Sequence, residues 1–259
     1  MPDQYAQHVL EKCPVGYWRF EENSGPVAHD SAPHGHPGSY KGEVRFAQPG
    51  AIRSSDGRAI VLNGKDAFVE IASDPVFSQP KSGMGLTVEA WLRPDLLRFH
   101  GETDQPYVHW LGKGETGRFE WGFRFYSQCS DRPNRISAYI WNPTVENGEK
   151  NEGAGAYFED PIEPHVWIHV VACYDPGDAS NSQAGVSIFK NGVRRGSPST
   201  SPGALYASYN IYPVPGYAPL RLGTRDTKSF LTGGLDEVAI YPRVLTCEEI
   251  LDNYNAASR

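Results

Sequence analysis

A chain of 259 residues with 39% hydrophobic and 21% charged side chains has enough apolar material for a core, and too much to stay disordered. Its formal net charge of -7 argues against a nucleic-acid partner, which needs a basic face to release counterions; the nearest Lys/Arg cluster is Arg194-Arg195. No apolar run approaches the ~20 residues that span a bilayer.

Aromatics at 12%, with 27 glycines and 21 prolines, describe many short strands joined by tight turns. In chain order, Gln4 to Glu11 reads as a short helix. Strand-like runs follow at Tyr17 to Phe20, Ala59 to Ile71, Leu86 to Arg93, Phe119 to Tyr126 and Ile136 to Trp141. They continue at Val166 to Tyr174, Val186 to Lys190, Leu220 to Leu222 and Leu235 to Tyr241. In Phe119 to Tyr126 the period-2 alternation places Phe119, Trp121, Phe123 and Phe125 on one face, with Glu120, Gly122, Arg124 and Tyr126 on the other. Asn191-Gly192 supplies the two positive-φ positions of a type I′ hairpin. Thr246 to Asn255 reads as a helix, with Thr246 and Glu249 as its capping box. Long polar stretches at Leu97 to Tyr107, Asn142 to Pro164, Pro176 to Ala184 and Ser197 to Pro219 read as loops.

Residues Met1 to Lys12 carry no apolar leader segment, so the expectation is an intracellular protein or a trimmed or phage-associated module. Cys13, Cys129, Cys173 and Cys247 form no CxxC pair and match no zinc spacing; they are expected to be free thiols.

The ordered motifs resemble the laminin-G-like domains of bacteria and phages, within the concanavalin A-like lectin/glucanase superfamily. Pro14-Val15-Gly16-Tyr17-Trp18-Arg19-Phe20 through Gly25, then Asp30-Ser31, is similar to their opening. Asn63-Gly64 through Phe68-Val69-Glu70-Ile71, Thr87-Val88-Glu89-Ala90-Trp91 and Trp167-Ile168-His169-Val170 match their middle. Gly234-Leu235-Asp236-Glu237-Val238 through Leu245, with Glu248-Glu249-Ile250, matches their ending. The resemblance spans the chain and implies one all-β domain over residues 1–259, a two-sheet antiparallel jelly-roll sandwich with short terminal helices. It is less specific for function, because this sandwich serves lectins, adhesion modules, hydrolases and lyases.

Retaining glycosidases on this fold carry two carboxylates on one strand, about 5–5.5 Å apart, and no such run is present. Glu120 and Glu89 stand alone on their strands, and the motifs of the fold's alginate lyases do not read through either. Glu89 is expected to pair with Arg93 on the sheet, with a concave-face acid as the alternative, and His169 to be a packed, hydrogen-bonded strand residue, with a ligand or base as the alternative. Sugar binding needs flat rings beside planar polar groups. Arg124, Tyr126, Tyr139, Trp141 and Asn142 are the candidate ligand-binding set, on the concave face if their strands are neighbours; packing beneath the Asn142 to Pro164 loop is the alternative. Trp110 and Trp121 are expected in the core. Tyr206, Tyr209, Tyr212 and Tyr217 could line a rim or pack on themselves.

The resemblance further implies a structural Ca²⁺ held by Asp236, Gly64 and Glu22, with Asp30 as an extra ligand; oxygen-only ligation suits that cation. The expectation is therefore a non-catalytic, carbohydrate-binding module, open to assembly into an oligomer. Two alternatives are an enzyme drawing on Glu120, Asp160, His165 or Arg225, and a structural or adhesion module of a phage or larger surface protein.

Overall fold

The computed structural model describes residues 4–257 apart from 34, 53–56, 79–84, 101–105, 116–117, 142–152, 176–184, 197–203 and 206–215. Within them, the β-branched and aromatic runs build two antiparallel sheets packed as a sandwich. The eight-stranded sheet runs Val193–Gly196, Gly185–Lys190, Ile168–Asp175, Leu86–Pro94, Thr232–Tyr241, Arg58–Asn63, Arg45–Pro49, with Gly16–Trp18 also paired to Thr232–Tyr241. The nine-stranded sheet runs Ala204–Leu205, Gly153–Phe158, Ile136–Trp141, Arg118–Tyr126, Tyr107–Glu115, Leu220–Leu222, Phe68–Ile71, Gly38–Lys41, Val27–Ala28.

Alternation decides what lies between the sheets. Val88, Ala90, Leu92 and Val170 face Trp110, Phe123, Phe125, Ile136 and Ile140 across the interior, all buried in one cluster. Each large side chain of this kind stabilises by about 1.5–3 kcal/mol when fully buried. Trp121 joins the same core, and its indole N–H donates to the Phe77 carbonyl at 2.8 Å.

The other face of the eight-stranded sheet is covered by two helices. Tyr5 and Val9 of Gln4–Glu11, with Ile250 and Ala256 of Cys247–Ala256, pack on Trp91, Val171, Cys173 and Tyr241. The second helix starts as the sequence implies. Thr246 Oγ1 accepts from the Glu249 N–H at 3.2 Å, and the Glu249 carboxylate accepts from the Thr246 N–H at 2.8 Å. A bidentate Arg243 and this cap together hold the Glu249 carboxyl down at about 2. The Asn191-Gly192 turn has both φ values positive, 53° and 76°, and abuts Leu251 and Tyr254 of that helix.

Glu89 does not pair with Arg93. It is fully buried beneath the helices and accepts from Tyr5 Oη (3.1 Å), Tyr241 Oη (2.8 Å) and Asn253 Nδ2 (2.9 Å), with His169 Nε2 at 2.7 Å. Arg93, at the strand end, instead takes Asp95 at 2.8 Å and lies over the Trp167 ring. His169 is the packed, hydrogen-bonded strand residue expected of it.

Three further expectations are corrected. Ala59 to Ile71 is two strands in different sheets, because Asn63 Oδ1 accepts the N–H groups of Lys65, Asp66 and Ala67 and turns the chain. The stretch read as a loop from Asn142 contains the strand Gly153–Phe158, whose Gly-Ala-Gly-Ala start has no apolar period to read. Phe119 leaves the core row: a register shift skips Glu120, pairing Lys113 with Trp121 but Gly114 with Phe119. The four cysteines are free thiols, with only Cys173 buried.

Candidate functional site

Neither helix packs on the outer face of the nine-stranded sheet, and polar and aromatic side chains gather there. Strands Ile136–Trp141 and Arg118–Tyr126 are neighbours, with Ser137 opposite Arg124 and Tyr139 opposite Gly122. The same face continues onto Tyr107–Glu115, where His109 stands opposite Arg124 and Tyr107 opposite Tyr126. Four of the five residues expected from the sequence therefore meet: Arg124, Tyr126, Tyr139 and Trp141. Asn142 lies outside the described residues.

Their arrangement is an interleaved stack. The Arg124 guanidinium lies 4.5 Å from the ring centroids of both Tyr107 and Tyr139, and 5.6 Å from that of Trp141. Tyr139 and Trp141 are themselves nearly parallel at 5.2 Å, and the Tyr126 and Tyr139 hydroxyls are 3.1 Å apart. Gly155 on the next strand leaves room for this: a Cβ there would sit 2.9 Å from Tyr139 Cδ1. Burial raises the Tyr126 phenol, but the Arg124 charge and the Tyr139 hydrogen bond outweigh it and hold it below the usual range.

Two further members join them: His109, which was not legible as a site residue, and Arg225, which the sequence offered only for catalysis. His109 Nε2 receives Arg124 Nε at 2.9 Å and Arg225 Nη1 at 2.8 Å. A guanidinium can only donate, so Nε2 is the acceptor and the imidazole is neutral, protonated on Nδ1. Arg225 comes from the loop after Leu220–Leu222 and is 1% exposed. Its stem crosses Gly112 and Gly122, directly paired glycines whose Cβ atoms would lie 3.0 and 3.3 Å from it. Its head stacks on Phe119 at 3.8 Å and pairs with Asp226 at 3.0 Å. The bulge that removes Phe119 from the core is what brings it to Arg225 and Trp141. His109, Tyr126, Tyr139 and Trp141 are buried, whereas Tyr107, Phe119 and Arg124 are part-exposed.

The family model that matches this chain, Laminin_G_3, covers residues 63–251 and is described as the concanavalin A-like lectin/glucanases superfamily. The chain belongs to that superfamily. Solved structures agree on the fold. Domain 4 of the Geobacillus stearothermophilus arabinanase AbnA, in complex with arabinotriose, is 19% identical with a TM-score of 0.54, over 93% of this chain and 98% of that one. The botulinum neurotoxin serotype G binding domain is 13% identical with a TM-score of 0.65, over 95% of this chain and 51% of that one. A botulinum neurotoxin type C structure, whose cell entry depends on interaction with two ganglioside molecules, is 10% identical with a TM-score of 0.63, over 96% and 52%. The chain thus spans about half the length of the neurotoxin chains it matches. No curated protein matches it by sequence.

The calcium ligands that the superfamily resemblance implied do not converge. Gly64 abuts Thr232, four residues before Asp236 on one strand, which at ~3.3 Å per residue puts the two about 13 Å apart. Glu22 is held by the His29 N–H at 2.7 Å and Tyr40 Oη at 2.8 Å. Asp30 accepts the N–H groups of Tyr17, Ala32 and His36, so it shapes a turn. Asp236 is buried with Oδ2 on the Ala51 N–H and Oδ1 without a hydrogen-bond partner, and burial beside Glu237 pushes its carboxyl well above the usual range. These residues as a set do not fit one calcium ion. Exchanging calcium for EDTA is expected to move the melting midpoint by less than about 1 °C. A calcium-dependent rise of several degrees that Asp236→Ala removes would reinstate a cation there.

Of the residues weighed for catalysis, Arg225 reaches this face and the other three lie apart from it. Asp160 lies within 3.5 Å of Lys190 and 3.0 Å of Arg195, and exposed His165 pairs with Asp95. Glu120 pairs with Lys113 at 2.6 Å, both buried. Tyr217 is 89% exposed, while Tyr206, Tyr209 and Tyr212 lie outside the described residues.

Proposed function

We propose that this chain is a glycan-binding module that uses the outer face of the nine-stranded sheet around Arg124. One observation carries the reading: Arg124, Tyr107 and Phe119 form a part-exposed rim over a fixed bed of Tyr126, Tyr139, Trp141 and His109, on the face that neither helix covers. Ring edges and a guanidinium fork offer a sugar apolar contact and directed donors in one patch, and the bed below them is already ordered. The complex of the arabinanase domain with arabinotriose, and the ganglioside dependence of the neurotoxin, lend the reading support from the same fold. Binding is favoured over hydrolysis because, among the described residues, the carboxylates nearest this face are each held by a cation: Asp226 by Arg225, Glu159 by Arg135, Glu70 by Arg221.

Calorimetric titration against a panel of oligo- and polysaccharides, arabino-oligosaccharides included, is expected to give binding that Trp141→Ala weakens at least about tenfold, or about 1.4 kcal/mol. Trp141 is the support for Tyr139 and, through it, for Arg124. A blank panel, or affinity indifferent to Trp141→Ala in a folded variant, would remove this face from consideration.

A further inference from the structure

The cations of this face differ in one respect. Arg225 has Asp226, Arg135 has Glu159, and Arg221 has Glu70 at 3.0 Å and Glu115 at 3.5 Å. Arg124 has His109, a hydrogen bond with the Tyr126 hydroxyl and three aromatic rings. No carboxylate of the described residues pairs with it, and the groups that act on its charge are the phenols of Tyr139, Tyr107 and Tyr126. His109 cannot supply the missing negative charge, since its Nε2 already accepts from two guanidiniums. Rings attract a cation through their faces without neutralising it. A part-buried guanidinium therefore sits at the rim with its charge uncompensated.

Geometry says how a counter-charge would meet it. Arg124 Nε is used on His109, so the side-on edge of the fork is closed. The end-on edge, Nη1 with Nη2, is the pair that can give two parallel bonds to a planar or tetrahedral oxyanion. The rings on both sides fix the plane of the fork, so little rotamer freedom is lost when an anion docks. Whole-chain charge works the other way, since -7 repels a polyanion at long range. Recognition of an anion here must be local.

We propose, building on the glycan-binding reading, that the ligand is an acidic glycan whose carboxylate or sulfate group docks end-on against Arg124. The saccharide ring next to that group then lies over the exposed edges of Tyr107 and Phe119.

The test is titration of the full chain with two matched pairs: polygalacturonate against its methyl ester, and dextran sulfate against dextran. The expected result is that the charged member of at least one pair binds at least about tenfold tighter, and that this margin shrinks as NaCl rises from about 0.05 to 0.5 M. The pair that shows the margin tells carboxylate from sulfate. Arg124→Gln, checked by circular dichroism, is expected to bring the charged member down to the affinity of the uncharged one. Should that variant fail to fold, the matched pairs on the unaltered chain decide alone. Equal affinity within both pairs, alongside binding of neutral oligosaccharides that Trp141→Ala weakens, overturns the acidic ligand and leaves the glycan-binding reading standing. No binding to any charged or neutral glycan overturns both.

Discussion

Glu89→Ala is expected to destabilise the fold by about 3–5 kcal/mol, the range for removing one partner from a buried charged network. The carboxylate is fully buried and holds four side chains from four different parts of the chain: Tyr5 of the first helix, Asn253 of the last, Tyr241 and His169 of adjoining strands. Truncation leaves two hydroxyls, an amide and an imidazole facing a void beneath both helices, and each such stranded group costs about 1–3 kcal/mol. The Tyr5 hydroxyl also receives the Trp91 indole N–H at 3.1 Å, so the loss spreads to the ring on which Tyr254 stacks. Urea unfolding with a free m-value measures it. A midpoint shift worth less than about 1 kcal/mol would show that the helices are fastened by apolar packing alone.

The same carboxylate makes a signed prediction for acid. Burial raises the Glu89 carboxyl, but the hydrogen bond and charge of His169, with the bonds from Tyr241 and Asn253, outweigh burial and hold it below the ordinary value. A depressed carboxylate contributes stability that is complete above the unfolded-state value of about 4.3, and the contribution is lost as pH falls through the lower folded value. The unaltered chain should therefore lose stability more steeply below about pH 4.3 than Glu89→Ala does. Parallel acid slopes for the two proteins would mean that the group titrates alike folded and unfolded.

How far the sequence could be read depended on whether a feature was local or lay in the register. Alternation within two strands was enough to put Arg124, Tyr126, Tyr139 and Trp141 on outward-facing positions, and pairing then brought them together. The Thr246 cap and the Asn191-Gly192 turn were likewise decided by residues a few positions apart. Phe119 was misplaced because a bulge depends on the partner strand and leaves no trace in the alternation itself. His109 was missed because its role comes from Arg124, fifteen positions on, and Arg225, 116 positions on. Gly112 and Gly122 look like weak spots in two strands until the register sets them face to face as a slot for Arg225. Gly64 and Asp236 show the opposite failure, since motif resemblance placed them together and the register between Arg58–Asn63 and Thr232–Tyr241 holds them apart.

That slot is why Arg225→Ala is expected to cost roughly 3–5 kcal/mol despite the distance of Arg225 from the core. Removing it strips the cation from Asp226, which is buried and whose Oδ1 already lacks a hydrogen-bond partner. It also takes one donor from His109, uncovers Phe119 and Trp141, and opens space above the two glycines. Most of that loss belongs to the stranded carboxylate, so Arg225→Met combined with Asp226→Asn should recover the larger part: the methionine refills the slot and the asparagine carries no charge. The double variant then separates two roles. Its stability should return to within about 1–2 kcal/mol of the unaltered chain. Glycan affinity should stay reduced, because Phe119 and Trp141 lose the guanidinium that fixes them and His109 loses the donor it has from Arg225. Denaturation midpoints and titration on the same preparations give both numbers. If Arg225→Ala alone melts within about 0.5 kcal/mol of the unaltered chain, Asp226 reaches water when unpaired and the stack does not need this arginine.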